Sequence, residues 1–141
     1  MPLLKGEAPS GFQTLLGYRL THWAENEAWV EIALDQRHMN RADVVHGGVL
    51  ATLIDTACGF SATWCPIEGR VRRVVTLSLA TSFIGQARHG ILRAVAQKRG
   101  GGAKIVFCHA EVFDAENRLI ATGEGTFRYR SGSEALDGIP T

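Results

Sequence analysis

One segment limits the folds open to this chain more than any other. Residues 47–64, GGVLATLIDTACGFSATW, are a long run with helical periodicity, and strand-like runs lie on both sides of it. Upstream, YRLTHWA and AWVEIALD alternate in polarity around ENE and read as a hairpin. In the second of them Val30, Ile32 and Leu34 share one face, and Trp29, Glu31 and Ala33 the other. Downstream, VRRVVTLSLATSFIG, GILRAVAQKRG and AKIVFCHAEVFDAENRLIATGEGTFRYR are strand-like, the last divided at the turn-rich DAEN. Pro66 and Gly69 stop the helix. Two strands, one long helix and about four more strands make an α+β domain, with a sheet of five to six strands covered on one face. The other face is left to explain, and pairing with a second copy is a common solution. GFQTLL at 11–16 reads as a short helix. The first ten residues and the tail SGSEALDGIPT read as loose, leaving a core of about 15–130.

A length of 141 residues fits a single domain spanning 1–141, and a 45% hydrophobic content can fill its core. A formal net charge of +1 gives no sign of the basic excess of a nucleic-acid binder, so no nucleic-acid partner is expected. Cys58, Cys65 and Cys108 have neither disulfide-framework nor zinc spacing, which fits reduced thiols in a cytoplasmic protein. MPLLKGEAPSGF does not read as a secretory signal, and no membrane span is expected, because no apolar run reaches the ~18 residues one requires.

On a helical wheel Val49, Leu50, Leu53, Ile54, Ala57, Phe60 and Trp64 form one broad apolar side. Gly48, Ala51, Thr52, Gly59 and Ala62 surround Asp55 on the other. Solvent-facing helix surfaces are usually rich in Lys, Glu and Arg, and this one has none. Two readings follow. Asp55 is a half-buried carboxylate satisfied by a hydroxyl or a backbone donor, or it is a nucleophile or general base on a face that a ligand can approach closely.

The helix opens with His46-Gly47-Gly48. The first N–H groups of a helix lack intrahelical acceptors and carry partial positive charge. Glycine leaves them open to a ligand atom, so a carbonyl oxygen could be polarised there. The competing reading is a tight turn into the helix. A histidine beside a helix N-terminus is expected to be neutral and to position its neighbours rather than act as a base. The remaining histidines, His22, His38, His89 and His109, have no metal-ligand spacing.

Taken together, MNRADVVHGGVLATLIDTACGFSA resembles the signature of hotdog-fold acyl-CoA thioesterases, most of all the phenylacetate-degradation subgroup. SFIGQARHGILRAVAQKRGGGAKIVFCHAEVFDAENRLIATGEGTFRY resembles that family's strands, so the likeness covers roughly residues 15–130. It implies a long helix wrapped by a curved antiparallel sheet, a homodimer with active sites at its interface, and pairing of dimers into a tetramer. The implied substrate is an acyl-CoA, hydrolysed to free acid and coenzyme A without metal or separate cofactor. By position, Asp55 is the implied catalytic carboxylate and Gly47 the N–H donor to the thioester carbonyl. His46 shapes the turn, and Asn40 orients water or substrate. Asn40 and the His-Gly-Gly turn are expected to face Asp55 of the other subunit. A hydroxyl on the strand after the helix is implied to assist the water: Thr76 first, then Ser78 or Ser82. Gly48 and basic residues should contact coenzyme A, with Arg88, Arg99 and Lys104 foremost among candidates that also include Arg70, Arg72, Arg73 and Lys98. Phe60, Trp64 and Phe83 are pocket or core residues, Phe60 fitting the core. A hotdog hydratase or dehydratase, and a non-catalytic acyl-CoA-binding protein, are the alternatives on this fold.

Overall fold

The computed structural model describes residues 7–141. Helix α1 (Gly11–Leu16) leads into the hairpin of β1 (Arg19–Ala24) and β2 (Glu27–Ala33). A 3-10 turn at Gln36–His38 precedes the long helix α2 (Gly47–Ala62). Then come β3 (Arg70–Val71), β4 (Val74–Phe83), β5 (Ile91–Gly101), β6 (Ile105–Phe113), β7 (Leu119–Tyr129) and β8 (Ile139–Pro140). Six strands make one antiparallel sheet in the order β1-β2-β5-β6-β7-β4, and α2 lies across one face. The class is α+β, as the pattern of runs requires. No helix among the described residues is long and apolar enough to cross a membrane.

Alternation along the strands builds the core. Val30 and Ile32 of β2, Leu92 of β5 and Val106 and Val112 of β6 are buried, together with Leu53, Ile54, Ala57 and Cys58 of α2. Ala28, Ala96, Ala110 and Gly123 stand side by side in register across four strands. This row of small residues lets the helix come close to the sheet. A Cβ on Gly123 would lie 2.6 Å from Ile54 Cγ2, inside any tolerable contact.

The helix stops at Ala62 rather than Trp64, and side chains take its last carbonyls. Trp23 Nε1 donates to Phe60 O at 2.7 Å, Thr63 Oγ1 to Gly59 O at 2.8 Å and Tyr129 Oη to Ala62 O at 2.6 Å. Phe60 packs against the core, as its wheel position suggests, but at its margin. It is half-buried and meets the Trp23 ring edge-to-face at 5.2 Å.

The tail corrects a second expectation. Residues 131–141 are tied down rather than loose, so the ordered fold extends past 130. β8 pairs with β3, Ser133 is fully buried, and its Oγ accepts from Arg73 N at 2.8 Å. Arg70 and Arg72 each donate to tail carbonyls. The run 71–85 therefore breaks into β3 and β4. At the other end, residues 1–6 lie outside the described residues, and Glu7 forms an ion pair with Arg73.

Candidate active site

The start of α2 is organised by His46, its N-cap residue. Its ring Nδ1 accepts from Gly48 N at 2.8 Å, so that nitrogen carries no proton. A Cβ on Gly48 would lie 2.9 Å from the same Nδ1. The second glycine thus makes room for the capping ring, and its N–H is already engaged. Gly47 differs. As the first helical residue its N–H has no intrahelical acceptor, and none among the described residues accepts from it. A Cβ there would lie 3.4 Å from Cζ of Phe83, whose ring stands beside the helix mouth and is more than half exposed. Of the two glycines, only Gly47 offers an N–H to a ligand.

The preceding loop holds Asn40 near this mouth. His38 is fully buried and anchors the loop, Nδ1 accepting from Asp35 N at 2.9 Å and Nε2 bonding Leu16 O at 2.7 Å. Asn40 Oδ1 accepts from Ala42 N at 2.9 Å and Val44 N at 3.3 Å. Its carbonyl oxygen is therefore spent on the turn. Asn40 and His46 line one open depression.

Two turns along the helix, Asp55 is partly exposed, and Thr76 Oγ1 donates to its Oδ1 at 2.7 Å. The contact depends on a β-bulge. Thr76 stands opposite Phe127 but Ser78 opposite Thr126, so the register of β4 on β7 shifts at Leu77. Before the bulge Val74 and Thr76 point at the helix; after it Leu79, Thr81 and Phe83 do. Simple alternation would group Thr76, Ser78 and Ser82 on one face. The bulge separates them: Ser82 turns to the outer face beside His109 and Thr122, and Ser78 lies opposite Thr126 on that face. Only Thr76 of the three reaches Asp55.

The Asp55 depression is also lined by Gly59, Phe60, Thr63, Arg72, Arg73 and Val74. One turn on, Cys58 is fully buried. Burial first, then the nearby Cys108 and Asp55, pushes its thiol far above the usual range, so it is no thiolate nucleophile.

The basic candidates are dispersed. Arg88 follows Ala87, whose carbonyl accepts from Val45 N at 2.8 Å, and so lies at the His46 end of the helix. Lys104 sits in the β5–β6 turn, at the opposite end, its carbonyl accepting from Tyr129 N. Arg99 lines a depression with Phe107, His109 and Glu124 on the sheet face turned away from α2. Within one protomer these three do not frame a common coenzyme A site. Arg70 and Arg72 are committed to the tail and Arg73 to Glu7.

Residues 42–121 match the family model described as the thioesterase superfamily. A provisionally named esterase of Pseudomonas aeruginosa is 30% identical over 105 residues, covering 74% of this chain and 76% of that protein. Another, of Halobacterium salinarum, is 30% identical over 126 residues, covering 84% and 83%. Among solved structures, a conserved Pseudomonas aeruginosa protein aligns with a TM-score of 0.80 at 28% identity, covering 86% of this chain and 95% of that one. A Haemophilus influenzae thioesterase shares the fold, with a TM-score of 0.76 at 24% identity, covering 84% and 82%.

Proposed function

Because the chain belongs to the thioesterase superfamily and has its hotdog fold, we propose that it hydrolyses an acyl-CoA thioester to a free acid and coenzyme A. One observation carries this reading: Asp55, on the small-residue face of α2, is held by the Thr76 hydroxyl beside an open depression. With Oδ1 occupied, Oδ2 is left to take a proton from water. The water oxygen then attacks the thioester carbon, the C–S bond breaks, and Asp55 passes the proton it took to the departing coenzyme A thiolate. The Gly47 N–H steadies the developing oxyanion. An Asp nine residues after the histidine supports the phenylacetate-type subgroup in particular.

This chemistry needs two copies of the chain. Gly47 and Asp55 are eight residues apart on one helix, about 12 Å at the rise of an α-helix. Both must lie about 3 Å from groups on a single carbonyl carbon, so one protomer's pair cannot serve one thioester. Strand β4 supplies a route. It is an edge strand of ten residues, with Val75 41% and Leu77 54% exposed. Unprotected edges of this kind pair with another chain. Antiparallel pairing of β4 with its two-fold copy would carry Phe83 and Gly47 of one protomer toward Thr76 and Asp55 of the other.

Trapping released thiol over a panel of aromatic, short and medium acyl-CoAs tests the reading, with enoyl-CoA hydration assayed alongside. Thiol release is expected. Hydration without thiol release would assign the site to a hydratase, and tight binding with neither would make it a non-catalytic acyl-CoA protein. Thr76 acts here as a positioning residue. Thr76→Val should lower turnover roughly ten- to a hundredfold, the range for losing a hydrogen bond to a charged group. Thr76→Ser should restore most of it, which a purely structural role for the threonine methyl would not allow.

A further inference from the structure

Beside the Asp55 depression, and sharing Phe60, Thr63, Arg72 and Arg73 with it, lies a wider concavity. Trp23, Phe60, Cys65 and Val71 give it apolar walls. The Trp23 N–H is spent on Phe60 O, and its ring meets Phe60 edge-to-face in the cavity wall. Its arginines are not open to coenzyme A phosphates. Arg70 donates to Asp137 O at 2.7 Å and Gly138 O at 2.8 Å, and Arg72 to Ser133 O at 3.0 Å and Glu134 O at 3.1 Å. These side chains tie the segment from Ser133 to Gly138 to the arginine side of the cavity. Thr141 stands in its wall and bonds Gly69 O through both N and Oγ1. Gly138, at φ 64°, permits this course. A Cβ there would lie 2.2 Å from Val71 O, so only glycine lets the segment lie against β3.

We propose that residues 132–141 are a strap that closes the far end of the acyl pocket and sets the acyl length the enzyme takes. The proposal rests on the thioesterase reading above. A thioester placed at Asp55 sends its acyl chain past Phe60 and Thr63 toward the strap. Asp55 to Thr63 spans eight residues of helix and its cap, about 12 Å. The substrate class is therefore an apolar acyl group of short to medium length, stopped by the strap. A chain as long as palmitoyl runs into the tail.

The test compares kcat/KM for acetyl-, hexanoyl-, decanoyl- and palmitoyl-CoA in the native chain, in Gly138→Val and in a chain ending at Arg130. Gly138→Val replaces no residue that lines the pocket and breaks the strap's path against β3, so it serves even where the shortened chain fails to fold. The palmitoyl-to-hexanoyl ratio is expected to rise about tenfold or more in the strap variants, the order of discrimination an apolar pocket achieves by shape. An unchanged ratio overturns the strap proposal while leaving the thioesterase reading intact. Loss of hexanoyl turnover without palmitoyl gain also overturns it, because the tail would then support the fold rather than limit length. A native chain that hydrolyses none of the four overturns the thioesterase reading itself.

Discussion

Asp55→Asn is expected to lower acyl-CoA turnover on the order of 10²–10⁴-fold, the contribution of a positioned general base. The substitution is nearly isosteric, and the amide oxygen can still accept from Thr76 Oγ1, a bond of 2.7 Å in the native protein. What it loses is the capacity to take a proton from water. Asp55 is partly exposed on a face of small residues, so the variant's thermal midpoint should stay close to that of the native protein. Thiol release measured beside a melting curve separates the two effects. Native turnover in a folded Asp55→Asn protein would remove Asp55 from the chemistry.

Gly47→Pro is expected to cost on the order of 10²–10³-fold in turnover, the usual result of deleting one oxyanion donor. A backbone N–H can seldom be removed without breaking a helix, but this position allows it. Gly47 is the first helical residue, where proline is favoured and the N–H has no intrahelical acceptor. Proline also requires extended backbone before it, and His46 already has φ −66° and ψ 136°. Gly47→Ala is the control. It keeps the N–H and places a Cβ at ordinary contact distance from Phe83, so it should retain most of the activity. Equal losses in the alanine and proline variants would point to crowding against Phe83 rather than to the N–H.

The helix was legible in the sequence because its apolar side and its small-residue side are both long enough to show a period. The strands beneath it were legible for the same reason, since residues such as Val106, Cys108, Ala110 and Val112 alternate without interruption. The site was legible in its residue types but not in its geometry. Thr76, Ser78 and Ser82 have equivalent spacing, and the bulge at Leu77 that singles out Thr76 is a pairing irregularity with no local signature. The second glycine of the turn looked like ligand space, whereas the structure fills that space with the His46 ring. The tail misled because its composition is that of a loose end. Its order comes from Arg70 and Arg72, about sixty residues away in sequence, and no local propensity records that. The same long-range contacts removed those arginines from the coenzyme A candidates.

The central claim is that one active site takes Gly47 from one protomer and Asp55 from another. Mixing the two inactive variants tests it most directly. Asp55→Asn and Gly47→Pro chains, unfolded together and refolded or co-expressed, form mixed dimers in which one of the two sites carries neither lesion. Random pairing in a two-fold dimer predicts recovery to roughly a quarter of native thiol release. Activity that stays at the level of the separate variants, in preparations shown to contain mixed dimers, would contradict the shared site and return both residues to a single chain.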